Sequence, residues 1–94
     1  MGRMYQVVLS CFGVPASEGA QAAADITAEF ANDRSWHSNV VCEWDGERLT
    51  LRAENDFDHD GLGLYDEFSD CIAAYVAGDF DYRICIDSVT QTSP

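Results

Sequence analysis

The stretch WHSNVVCEWDGERLTLRAE, residues 36–54, constrains the fold more than any other part of the chain. Two runs of alternating apolar and polar residues flank Asp45-Gly46, a dipeptide suited to the positive φ angles of a tight hairpin turn. Pairing Trp44 with Glu47 across that turn sets Cys42 against Leu49 and Val40 against Leu51 on an inward face. The same register sets Glu43 beside Arg48 and His37 beside Glu54 on the outward face, and both outer pairs are charge-complementary. A lone hairpin is marginal in water, so the segments on either side decide the fold.

Residues 4–12, MYQVVLSCF, alternate in the same way, with Tyr5, Val7, Leu9 and Cys11 sharing one face. Gly13-Val14-Pro15 breaks this strand, and Pro15 is placed to open a helix. From Ala16 to about Ala31 the spacing is helical, with Gly19, Ala23, Ile26 and Phe30 on one side and Glu18, Asp25 and Glu29 on the other. A second helix follows the hairpin, from about Leu64 to Ala77. Leu64, Phe68, Cys71, Ile72, Tyr75 and Val76 form its apolar face, Asp66, Glu67 and Asp70 lie outside, and Gly78 can cap it. Residues 81–89, DYRICIDSV, read as the last strand, with Tyr82, Ile84 and Ile86 inward. The order is β-α-β-β-α-β. Short connections and right-handed crossovers then predict a ferredoxin-like α+β two-layer sandwich, with two helices on one face of a four-stranded antiparallel sheet. The 94 residues make one domain, 1–94, with a core over about 4–89 and a tail, 90–94, that is expected to fray.

Charge narrows the function. Seventeen acidic residues face five basic ones, all arginine, for a formal net charge of −12. Such a balance repels nucleic acid and anionic membranes and favours a basic partner protein or a bound cation, unless it serves solubility alone. No apolar run approaches the ~20 residues that cross a bilayer, and Gln6 stands where a myristoylation signal needs Ser or Thr. The four cysteines show no metal or redox spacing and read as reduced thiols of a cytoplasmic protein.

The acid is densest in DFDHDGLGLYDE, residues 56–67. Asp56, Asp58, Asp60, Gly61, Leu62, Leu64 and Glu67 match the spacing D-x-D-x-D-G-x5-E, in which carboxylates, one backbone carbonyl and a final glutamate surround Ca2+. These twelve residues resemble an EF-hand loop. The resemblance implies a calcium site held by Asp56, Asp58, Asp60, the Leu62 carbonyl and Glu67. Two features depart from that family: a strand enters the loop where a helix belongs, and Gly63 replaces a branched apolar residue. The plain alternative is an acidic turn leading into a helix whose dipole favours carboxylates.

No side chains are placed by spacing for catalysis. His59 lies between Asp58 and Asp60 with no nucleophile motif to serve, and no Gly-rich phosphate loop or lysine is present. The chain therefore reads as non-enzymatic. Its outer helical acids, Glu18, Asp25, Glu29, Asp66, Glu67 and Asp70, form a surface able to steer onto a basic cleft. This predicts a small inhibitor covering a basic partner, such as a nuclease or other nucleic-acid-binding protein. Nucleic-acid mimicry of the immunity or anti-defence kind, anti-CRISPR proteins included, is an analogy of size and charge. Two alternatives stand beside it. One is the calcium module; the other is a homodimeric domain that binds a partner or metabolite on its open sheet face. That face would carry Val8, Phe12 and Val41 with Arg48, Arg52 and Arg83.

Overall fold

The computed structural model describes residues 3–76, 78 and 80–92 and places the elements in the expected order. They are β1 (Met4–Phe12), α1 (Ala16–Asp33), β2 (Ser38–Trp44), β3 (Arg48–Asn55), α2 (Leu62–Tyr75) and β4 (Arg83–Thr92). The strands form one antiparallel sheet in the order β2-β3-β1-β4, and the fold is ferredoxin-like. No helix is long and apolar enough to cross a membrane among the described residues.

Alternation in β1 and β3 sends Val7, Leu9 and Cys11, with Leu49, Leu51 and Ala53, beneath the helices. Ile26 and Phe30 of α1 and Leu64, Phe68 and Ile72 of α2 close the layer from above, all fully or almost fully buried. Each such side chain stabilises the fold by about 1.5–3 kcal/mol relative to exposure. The helix α1 lies close over β2 because Gly19 leaves room for an indole. A Cβ at Gly19 would sit 2.1 Å from the ring of Trp44.

The hairpin turn falls one residue later than Asp45-Gly46. Asp45 N–H donates to the Arg48 carbonyl at 3.2 Å, so Gly46 and Glu47 are the central residues. Only Gly46 takes a positive φ, +102°, as a turn with glycine first requires. The Asp45 carboxylate accepts the N–H groups of Glu47 and Arg48, each at 2.9 Å, and these bonds hold its carboxyl below the usual range. Trp44 thus pairs with Leu49 and Cys42 with Leu51. The register moves by two residues, which leaves every inward side chain inward.

A second departure does change a face. The β2–β3 register shifts between Ser38 and Val41, where Asn39 adopts φ +52°. This irregularity turns His37, expected on the outer face beside Glu54, into the interior. The strand β4 runs to Thr92 and pairs with β1 as far as Met4, beyond the expected end at residue 89. Ile86, expected inward, stays partly exposed because α2 leaves the β4 edge incompletely covered. The expected last helical residue, Ala77, and the end of the tail, residues 93 and 94, lie outside the described residues.

Candidate functional site

Two arrangements of polar side chains stand out, one inside the fold and one on its open face.

The inner arrangement joins the end of α1, the start of β2, the end of β3 and α2. Asn55 is buried, and its Oδ1 accepts the N–H groups of Phe57 at 3.1 Å and Asp58 at 2.7 Å. Its amide nitrogen therefore faces His37 Nδ1, 3.3 Å away, as a donor. This leaves the proton of a neutral His37 on Nε2, which donates to Glu67 Oε2 at 2.5 Å. Glu67 Oε1 accepts from Arg34 Nη1 at 3.0 Å and Trp36 Nε1 at 3.1 Å. Arg34 Nε lies 3.3 Å from Glu29 Oε2, within ion-pair distance but misaligned for a hydrogen bond. Burial works against the Arg34 charge. The bond to Glu67 and the charges around it outweigh burial and raise its pKa above the ordinary value. Tyr75 donates to Glu29 Oε1 at 2.5 Å, and that bond pushes the phenol up to about 12.

Phe30, Trp36 and Phe57 pack around the imidazole at centroid distances of 5.4, 6.0 and 5.8 Å. The His37 side chain is closed to solvent. A substrate cannot reach its nitrogens, so the cluster ties four elements together rather than presenting a proton to solution.

The loop carboxylates serve α2. Asp58, nearly buried, accepts the N–H groups of Gly63 and Leu64 at 2.9 Å each, and Asp60 accepts that of Leu62 at 3.0 Å. These are capping bonds to the free donors of a helix start. Asp56 is exposed. Glu67 turns toward Arg34, Trp36 and His37, so the spacing of residues 56–67 does not bring its acids around one centre. Among the described residues no group of three or more His, Cys, Asp or Glu side chains is placed to hold a metal ion.

The outer arrangement lies on the sheet face away from the helices. Phe12 on β1 stands between Arg48 on β3 and Arg83 on β4, with the guanidinium carbons 5.9 and 5.4 Å from the ring centroid. The neighbouring rows carry Glu43, Thr50, Ser10 and Cys85, then Val41, Arg52 and Val8. The β1–β4 register shifts between Val8 and Leu9, so Asp87 is the extra residue, and its carboxylate accepts the hydroxyl of the buried Ser10. Arg48 pairs with Asp45 at 3.3 Å. Among the described residues Arg52 and Arg83 have no carboxylate within ion-pair distance.

The expected acidic surface is only partly assembled. Asp66 and Asp70 are exposed on α2, while Glu18 and Asp25 are half-buried on α1, Asp25 accepting from Gln21 at 3.0 Å. Glu29 and Glu67 are withdrawn into the inner cluster, their side chains 19% and 16% exposed. Their helical positions marked them as outward, but the loop between α1 and β2 brings Arg34, Trp36 and His37 over them. Sequence reasoning missed Arg34 and Trp36, whose partner Glu67 is more than thirty residues away, and Asn55, whose amide reaches back to His37. The one local signal was Asn39, a residue that tolerates positive φ and can break a strand's alternation.

No protein-family model and no curated protein matches the sequence. Among solved structures, the chain is similar to one described as "Putative antibiotic biosynthesis monooxygenase" from Bordetella bronchiseptica. The match has a TM-score of 0.50 at 16% identity and covers 89% of this chain and 95% of that one. At that identity the likeness establishes the fold. It nonetheless overturns two expectations. An architecture shared end to end with a protein described as an enzyme removes the ground for reading the chain as non-enzymatic. The reading as an acidic inhibitor, nucleic-acid mimic or anti-CRISPR protein is corrected likewise, and the withdrawal of Glu29 and Glu67 gives a physical reason.

Proposed function

We propose that this chain is a homodimeric small-molecule-binding domain of the enzyme-bearing kind, whose two open sheet faces meet. The observation that carries this reading is the charge of that face. Arg48, Arg52 and Arg83 offset Glu43, Glu54 and Asp87, so the face is close to neutral on a chain with a formal net charge of −12. Two copies repel each other least where that face meets its twin, and a two-fold pairing lets Arg52 of one copy meet the carboxylates of the other. Half-buried Val8 and Val41 supply apolar area between the charges.

The fold neighbour's description as a monooxygenase of antibiotic biosynthesis supports small-molecule chemistry as the class of activity. The free cysteines among the described residues suit a reducing, cytoplasmic setting. Sedimentation equilibrium tests the pairing. The wild-type chain sediments as a dimer and Val8→Glu, which puts a further charge in the middle of the face, as a monomer. A wild-type chain that stays monomeric at high concentration contradicts the proposal.

A further inference from the structure

We infer that the row Arg48–Phe12–Arg83 binds an organic acid carrying a single negative charge. The inference names the ligand class for the small-molecule reading above and rests on it. With seventeen carboxylates on the chain, any arginine has acids to choose from, yet among the described residues Arg52 and Arg83 pair with none. Both are exposed, and Arg83 lies over the Phe12 ring, 5.4 Å from its centroid, without an ion pair to occupy its N–H groups. A guanidinium held over a ring by cation–π attraction, with no ion pair, keeps N–H groups free to hold a carboxylate through two parallel hydrogen bonds.

Charge limits the ligand further. The surplus acid of the chain raises the energy of any incoming anion, and that cost grows with each negative charge the anion carries. One carboxylate can be offset by Arg83 locally; a polyphosphate or a nucleic-acid strand meets the field of the whole molecule. The row also lies at the hairpin end of the sheet, where Phe12 closes β1 and Arg48 and Arg83 open β3 and β4. A dimer contact centred on Val8 and Val41 would leave this row at its rim, open to a ligand.

The test is calorimetric titration of 2-naphthoate into the full chain, with sedimentation run on the same samples. Saturable binding is expected, weakened at least about tenfold by Arg83→Gln, with 2-naphthamide, the uncharged analogue, weaker by a similar factor. Arg83→Lys keeps the charge without the planar fork and is expected to fall between. No binding at millimolar naphthoate, equal binding by Arg83→Gln, equal binding of the amide, or equal binding of inorganic pyrophosphate each overturns the inference. A dimer that binds no naphthoate sinks this inference alone. A monomer that binds it through Arg83 sinks the pairing alone.

Discussion

Asn55 gives its amide protons to His37 because its own oxygen is already engaged by the N–H groups of Phe57 and Asp58. A turn at the end of β3 thus decides which nitrogen of a buried imidazole carries the proton, and through it which atom faces Glu67. Nitrogen-15 NMR of the wild-type protein is expected to show the Nε2–H tautomer of His37. Asn55→Ala removes the selection and costs about 1–3 kcal/mol by urea denaturation, since it leaves two N–H groups and Nδ1 without partners. The Nδ1–H tautomer in the wild type would contradict this account.

Glu67 accepts from Arg34, Trp36 and His37, so its removal should free the whole loop between α1 and β2 from α2. Glu67→Ala is expected to destabilise the fold by about 2–4 kcal/mol, with Glu67→Gln in between because its amide oxygen can still accept. Chemical denaturation measures both. Trp36 fluorescence should move to longer wavelength in Glu67→Ala as the indole N–H loses its acceptor.

Gly19→Ala separates helix propensity from packing. In an open helix the change would stabilise by up to about 1 kcal/mol. Here the new Cβ would lie 2.1 Å from the Trp44 ring, and overpacking of this kind costs about 1–3 kcal/mol. A net loss of stability is therefore expected, recovered in part by the double variant with Trp44→Leu. A stabilised Gly19→Ala variant would show that Trp44 does not lie under α1.

The expected elements emerge because each carries its own periodicity. Tyr5 to Cys11 alternate, Gly19 to Phe30 repeat with the helix, and the hairpin survives a two-residue shift because side-chain direction has a period of two. A shift of one residue does not survive so easily. The irregularity at Asn39 moves His37 from the solvent face to the interior, and nothing in the local pattern weighs that bulge against a regular strand. Glu67 illustrates the other gap. Its helical position is outward, but its surroundings are set by a loop thirty or more residues earlier, and a helical wheel holds no such information. The open face was more legible, since alternation alone put Phe12, Arg48, Arg52 and Arg83 together.

The DxDxDG spacing lies at the start of α2. Asp58 and Asp60 cap α2, and Glu67 is committed to the other side of the helix. Thermal melts with calcium, magnesium or chelator are expected to coincide once ionic strength is matched. A calcium-specific rise in Tm would require Glu67 to leave Arg34 and would contradict the inner cluster.

Burial pushes the thiols of Cys11 and Cys71 up to about 11 and that of Cys42 up to about 12, from an ordinary value of 9.0. Below pH 9 the thiols are protonated in both folded and unfolded chains, and their contribution to stability is fully present. As pH rises through 9 toward 11 and 12, the unfolded chain loses these protons first. Stability should therefore fall over that window in a denaturation series. Ser at all three positions should flatten the fall.

Cys85 lies on the open face, in the row beside Phe12 and partly exposed, while the other three thiols are buried. Pairing of two copies through that face is tested by the rate of Cys85 alkylation as protein concentration is raised under native conditions. Cys85 is expected to react readily in dilute solution and to become protected as concentration rises, and Val8→Glu to abolish the protection. A rate that stays constant across the series, alike in wild type and Val8→Glu, would contradict it.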